Sequence, residues 1–278
     1  MSGFRGWCSL RDREALSRRA QGEIDGDGLA RGAGILRVVQ HKKWDSNFFG
    51  MKIATLNVSR MNGRIATFAE EWCRKNSVAC LFYLCDCNHA ESVRVAEAQG
   101  YGFKDIRIAL EIGMEKGAPP AAQKSPETEI RECREEDLPE IKEIAKKSYS
   151  QSRYYFDGHF EPDKLEKFYS DWLENTFKSP LGRVFVASDK SGKAFGYVSA
   201  EIDNRGRLGR IILVGVEGNR ARTGAGQQLV SAVLSWMHEK KVYVVEVVTQ
   251  GRNIGAQRLY HKCGFRIASL SLWYHKWF

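Results

Sequence analysis

Between Asn219 and Trp236 the chain reads NRARTGAGQQLVSAVLSW, and these residue types at this spacing suit one kind of chemistry. Arg220 and Arg222 precede two glycines, Gly224 and Gly226, and an apolar run of helical spacing follows. Ahead of them stands GRIILVGV, a strand-like run ending at Val216. Strand, glycine loop and helix in this order bring backbone N–H groups, a helix N-terminus and positive charge to one point. That is a cradle for a phosphate or pyrophosphate. The same spacing also suits a plain strand-to-helix turn.

Two further clusters carry reactive residue types. In CDCNH, Cys85, Cys87 and His89 have the chemistry of metal ligands. Cys85 and Cys87 lie two apart in the strand-like LFYLCDC, however, and share a face with Leu81 and Tyr83. They read as small buried hydrophobes, and no metal is expected. The seven cysteines form no CxxC pair, so free thiols in a reducing cytoplasm account for them. The segment SRYYFD gathers a cation, two phenols and a carboxylate. There Arg153 suits a phosphate, Tyr154 or Tyr155 a stacked ring, and Asp157 a hydroxyl group.

Elements to position these groups follow from the periodicity. Residues 128–278 read as an α/β unit. A short strand leads into a helix with Leu138, Ile141, Ile144 and Ala145 on one stripe. DKLEKFYSDWLENTFKS is a second helix, with Leu165, Phe168, Trp172, Leu173 and Phe177 as its apolar face. GRVFVASD and AFGYVSAEID are strands around the turn KSGK. GRIILVGV and VYVVEVVT are apolar enough to predict burial on both faces. NIGAQRLYHKCG is a helix ended by Gly264, and FRIASLSLWYHKWF returns as a strand or hairpin.

The stretch EKGAPPAAQKSPETE holds three of the six prolines and reads as a linker. The expected organisation is a poorly ordered extension over residues 1–33, a smaller domain over 34–118, a linker over 119–127 and the main domain over 128–278. The net charge of +9 suits an anionic partner or a solubilising surface. Its basic residues are scattered without interleaved aromatics, which argues against nucleic acid. No apolar run spans a bilayer, and the N-terminus lacks a signal-peptide core.

The order IILVGV, RARTGAG, VVEVVTQ and then N..A..LYHKCGF resembles the GCN5-related N-acetyltransferase superfamily. WDSNFFG, SRYYFDGHF and FYSDWLENT are similar to the enzymes that acetylate a dTDP-4-amino-4,6-dideoxyhexose, the dTDP-fucosamine acetyltransferase type. The resemblance implies a mixed central sheet flanked by helices and the cosubstrate acetyl-CoA. It places the donor against Val214, Val216, Arg222, Gly224, Ala225, Gly226, Gln227, Asn253, Ala256 and Tyr260. It also implies that the Val216 N–H meets the thioester oxygen and that Tyr260 is the acid for the departing thiolate. One departure is Ala221, where the superfamily usually has a basic residue or glutamine; Arg220 and Arg222 flank it and are the two candidates for the phosphate.

The acceptor expected from the resemblance is a nucleotide-linked amino sugar, met by Arg153, Tyr154 and Asp157. Glu201, Asp157 and His159 are base candidates by chemistry, and a water chain would serve equally. Other readings are a different small amine as acceptor, or a silent module that keeps the fold. A homodimer is an open possibility. Finally, LFYLCDCNHAESVRVAEAQGYGF repeats the pattern of VVEVVTQGRNIGAQRLYHKCGF, with Asn88 matched to Asn253 and Gly100 to Gly264. The first part of the chain therefore reads as a smaller, degenerate copy of the acetyltransferase unit without a phosphate loop.

Overall fold

The computed structural model of the protein describes residues 38–114, Ser125 and residues 127–278. The expected extension over 1–33 and most of the expected linker lie outside the described residues. The first elements are β1 (Val39–His41), α1 (Lys43–Phe49), β2 (Ile53–Leu56), α2 (Gly63–Lys75), β3 (Cys80–Asp86), α3 (Ala90–Ala98) and β4 (Gly102–Gly113). Then come β5 (Glu129–Glu132), α4 (Leu138–Ser148), α5 (Arg153–Asp157), α6 (Pro162–Lys178), β6 (Gly182–Ser188), β7 (Ala194–Ile202) and β8 (Leu208–Val216). The chain ends with α7 (Ala225–Glu239), β9 (Val244–Gln250), α8 (Ile254–Lys262) and β10 (Arg266–Trp277).

These elements fall into two compact units. One runs through Ile106 and takes back Leu270–Phe278; the other is Arg107–Ser269. The division lies inside β4 and β10 and not at the proline-rich segment. Strand register gives the reason. Residues Ser271 to Trp277 of β10 pair antiparallel with Asp86 to Cys80 of β3, so the chain's end belongs with its first part. Residues Arg107 to Gly113 of β4 pair antiparallel with Gln250 to Val244 of β9.

The second unit has a mixed sheet in the order β4-β9-β8-β7-β6-β5, in which only β8 and β9 run parallel. On one face α7 buries Leu229, Val230, Val233, Leu234 and Met237 in a cluster with Val198, Ala200, Ile211, Val245 and Val247. A cluster of this size is the main driving force for the unit. On the other face α4 and α6 pack against β7. Helix α6 buries Leu165, Phe168, Tyr169, Leu173 and Thr176. Trp172 and Phe177, expected on its apolar face, are half-buried. Strands β8 and β9, expected to be buried on both faces, alternate buried and half-buried residues. Their separation, described below, leaves the edges open.

The first unit orders its strands β1-β2-β3-β10 over a core that includes Ala66, Ala69, Cys73, Leu81, Tyr83, Cys85 and Tyr274. Within its range β10 is one continuous strand and not a hairpin. The internal repeat is exact in length: Cys80–Asp86 matches Val244–Gln250, Ala90–Ala98 matches Ile254–Lys262, and Gly102–Gly113 matches Arg266–Trp277. Gly100 and Gly264 hold the same left-handed turn, with φ of 74° and 91°. The expected partner of Asn253 shifts by one residue. His89, not Asn88, caps α3 through Nδ1 to the Ser92 N–H, as Asn253 caps α8 through Oδ1 to the Ala256 N–H.

The parallel pairs repeat as well. Ile53–Leu56 face Cys80–Tyr83, and Leu208–Ile211 face Val244–Val247, and each pairing then stops. In the first unit the following loop closes the opening. The Ser59 carbonyl accepts from the Asp86 N–H at 2.8 Å and from the Tyr83 hydroxyl at 2.9 Å. Ser92 Oγ accepts from the Met61 N–H at 2.6 Å, and Asn62 caps α2.

Candidate active site

In the second unit the corresponding opening lies between β8 and β9. A bulge produces it. Ser199 faces Leu213 while Ala200 faces Ile211, so Ile212 has no partner on β7. An extra residue bends its strand and reverses its facing pattern. Before the bulge, a side chain at Gly209 would strike Met237 of α7. After it, a Cβ on Gly215 would lie 2.7 Å from Tyr197 and 2.9 Å from the Ser148 hydroxyl, on the opposite face. Gly215 therefore allows a close approach that no other residue permits.

The hydrogen-bond phase of β8 follows from one bond. The Glu217 N–H donates to the Phe195 carbonyl at 2.9 Å, which makes this pair a bonded one. In an antiparallel ladder bonded and non-bonded pairs alternate. Val216 and Val214, opposite Gly196 and Val198, are thus non-bonded positions. Their N–H and C=O groups point away from β7, toward the side where β9 has diverged.

The loop beyond β8 has a backbone geometry that suits an anion. Gly224 caps α7 with φ of +89°, a conformation that strains any side chain, and supplies no side-chain cap. The first turn of α7 thus keeps N–H groups without helical acceptors. Ala225 is buried beneath it, and Gly226 and Gln227 are half-buried. A Cβ on Gly226 would meet only Leu259, at 3.4 Å. Thr223 braces the loop by donating to the Arg220 carbonyl at 2.8 Å. The two arginines separate in role. Arg220 lies 5.2 Å from the Phe195 ring centre and 3.9 Å from Asp189. Arg222 is exposed, has φ of 69°, and forms no ion pair among the described residues.

Tyr260 is the buried residue of α8, with its ring 5.8 Å from that of Phe265. Its hydroxyl has no hydrogen-bond partner among the described residues. Burial holds its pKa above the ordinary tyrosine range, with a smaller contribution from Cys263. Near it lies a pair that sequence reasoning missed. The Tyr197 and Tyr149 hydroxyls are 2.8 Å apart, and Tyr149 donates to the Val214 carbonyl at 3.1 Å. Tyr197 thus donates to Tyr149, and Tyr149 to the β8 edge. Burial raises both pKa values. Tyr149 lies just past its helix, and its spacing says nothing of the partner its hydroxyl meets. Gln228, in the first turn of α7, was also missed; it is buried with its Nε2 unpartnered.

Beside Tyr149 a cleft is lined by Ser148 to Ser152, Gln250 and Asn253. Asn253 and Ala256 meet each other there, the side chain of one capping the N–H of the other at 3.0 Å. Helix α5 follows the cleft directly, and Phe156 lies 3.9 Å beneath the guanidinium of Arg252. The SRYYFD residues are deployed differently from expectation. Tyr154 is buried, its ring packed 5.2 Å from both Phe160 and Phe168, so it is no stacking platform. Arg153 lies over that ring and donates to the Tyr154 hydroxyl at 2.7 Å. The Asp157 carboxylate is enclosed and bonded to His159 Nδ1 at 2.6 Å, so this oxygen is engaged. Glu201 faces Arg210, and burial raises its pKa against that charge. It lies four residues from Tyr197, about 13 Å along the strand, and so stands apart from the tyrosines.

The six cysteines among the described residues are free. No group of three or more His, Cys, Asp or Glu residues among them could hold a metal ion. No helix among them is long and apolar enough to cross a membrane.

A bulged strand, a parallel neighbour that diverges and a glycine-capped helix define a class. The acetyltransferase (GNAT) family model matches residues 138–265, and that domain is a member of the family. The chain is similar in fold to a GCN5-related N-acetyltransferase from Sphaerobacter thermophilus, with a TM-score of 0.62 at 17% identity over 81% of this chain and 72% of that one. Among curated proteins, the chain is 27% identical over 147 residues to dTDP-fucosamine acetyltransferase of Escherichia coli O6:H1, covering 52% of this chain and 61% of the relative. It is 26% identical over 143 residues to the spore coat polysaccharide biosynthesis protein SpsD of Bacillus subtilis, covering 51% and 48%. The chain thus spans about half to three-fifths of the length of these relatives.

Proposed function

We propose that the protein transfers an acetyl group from acetyl-CoA to the amino group of a nucleotide-linked amino sugar of the dTDP-4-amino-4,6-dideoxyhexose type. The observation that carries the donor half is the open edge of β8. Val214 and Val216 turn their backbone groups toward a gap that β9 has left. An extended amide-bearing arm such as pantetheine pairs with such an edge as a strand would. The pyrophosphate of the same molecule then meets the α7 N-terminus, the Gly224–Gly226 loop and Arg222.

The chemistry follows from that placement. The neutral amine attacks the thioester carbonyl carbon, and the Val216 N–H stabilises the oxyanion. As the C–S bond breaks, Tyr260 gives its proton to the thiolate. The proton lost by the amine leaves through water and restores the phenol. A phenol with an ordinary pKa of about 10 is already protonated at neutral pH, as an acid requires. The acceptor half is supported by the names of the two curated relatives. Arg153 and Arg252, beside the cleft, have the charge to meet a diphosphate. The closed opening of the first unit supports its reading as a degenerate copy that binds no CoA. The free thiols and water-soluble substrates suit the cytoplasm.

The test is thiol release from acetyl-CoA with a panel of dTDP- and UDP-amino sugars, free amino sugars and polyamines. Preferential turnover of a dTDP-4-amino sugar is expected. Faster turnover of a free amine would replace the nucleotide sugar by a small amine as acceptor.

A further inference from the structure

The cleft beside Tyr149 contains only hydroxyl and amide side chains, with no formal charge. Several of these are already engaged. Ser148 Oγ donates to the Ile144 carbonyl at 2.7 Å. Tyr149 is bonded to Tyr197 and Val214, and Asn253 caps α8. The side chains of Ser150, Gln151, Ser152 and Gln250 make no hydrogen bond among the described residues. Ser152 is the telling case. It is 3% exposed, its Oγ is unpartnered, and it heads α5 without capping it. A buried hydroxyl without a partner is costly, and a ligand that bonds to it removes the cost.

Position adds a second constraint. Gln250 is on the face of β9 opposite the α7 cluster, because Val245 and Val247 occupy the other. Tyr149 ties the cleft to the β8 edge through Val214. An occupant therefore lies on the sheet face away from the phosphate loop, next to the donor's acyl end. Serine hydroxyls and carboxamides both donate and accept, so they match a ligand rich in hydroxyls. A carboxylate or polyamine would lose its hydration there and gain no counter-charge.

We propose that this cleft holds the neutral, hydroxyl-bearing ring of the acceptor, with Ser152 and Gln250 as specificity-determining hydrogen-bond partners and the acceptor's charged groups outside it. The inference rests on the nucleotide-sugar reading above and assigns its ring to named residues.

Calorimetry on the full chain loaded with CoA tests it, using dTDP and a dTDP-4-amino-4,6-dideoxyhexose as probes. The sugar-linked probe is expected to bind at least tenfold more tightly than dTDP. Ser152→Ala and Gln250→Leu should each remove fivefold or more of that gain and leave dTDP affinity unchanged, which also shows that the variants are folded. A wild type that gains nothing from the sugar, or binds neither probe, overturns the assignment. So does a gain that survives both substitutions. Failure of the transferase reading is seen separately: with acetyl-CoA in place of CoA, the sugar would bind with the full gain yet remain unacetylated.

Discussion

Tyr260 is the side chain that α8 buries. Its neighbours on the helix are half-buried or exposed, and the phenol is the anchor that points inward. Removing the hydroxyl while keeping the ring isolates its chemistry. Tyr260→Phe should lower kcat by about 10²–10⁴-fold and leave acetyl-CoA affinity nearly unchanged; wild-type turnover in steady-state assays would remove it from the mechanism. Arg153→Ala should raise KM for the nucleotide sugar strongly, with acetyl-CoA affinity unaltered, and equal KM values for the two enzymes would take the phosphate role from it. At this scale the sequence was legible for placement where a residue's type and its place in a motif agree: Gly224 heads α7 and Tyr260 is the buried residue of α8. It misled at Tyr154, since neither periodicity nor composition tells whether a polar aromatic faces a ligand or its own core. Tyr149 was invisible, because its role depends on a hydroxyl partner 48 residues away.

The element that decides the site is β8, and its defining feature is a missing partner for Ile212. Nothing in GRIILVGV announces a bulge, and its apolar composition predicts burial on both faces. Burial alternates instead, and the open edge is the consequence. The start of the domain has a different determinant. Asp137, 4% exposed, accepts from both terminal nitrogens of Arg131 at 2.7 Å and from the Arg134 N–H at 2.7 Å. The Arg131 guanidinium holds the Asp137 pKa below the usual range. This stability is present above the unfolded carboxylate pKa and is lost as pH falls through the lower folded value. Asp137→Ala should cost about 3 kcal/mol, because Arg131 loses its buried partner. Urea unfolding checks it at neutral pH, and the variant should match the wild type more closely in acid; an equal gap at both pH values would refute the linkage.

Over the whole molecule, the two units share a repeat that the sequence suggested and the register sharpens. The same four-residue parallel pairing occurs in each. One opening is closed by its own loop, and the other is left with exposed strand edge, glycines and an arginine. The boundary between units was not legible, since β10 pairs with a strand nearly 190 residues earlier in the chain. Such a pairing leaves no local mark. Buried phenols give both units a pH signature, Tyr83 and Tyr101 in the first among them. Tyr149, Tyr197 and Tyr260 all have pKa values raised mainly by burial. The unfolded chain therefore loses these protons first, and stability should be full below about pH 10 and fall above it. Thermal melts from pH 8 to 11 check this, and a flat melting temperature across that range would contradict it.

The claim on which the account turns is that the opening between β8 and β9, together with the α7 N-terminus, holds acetyl-CoA. Titration calorimetry of acetyl-CoA into the wild type and Gly226→Val tests it most directly. The new branched side chain has little to strike in the protein itself beyond Leu259. It should instead stand where the pyrophosphate approaches the backbone, and binding should weaken at least tenfold, about 1.4 kcal/mol. Unchanged affinity in a variant that melts like the wild type would place the donor elsewhere.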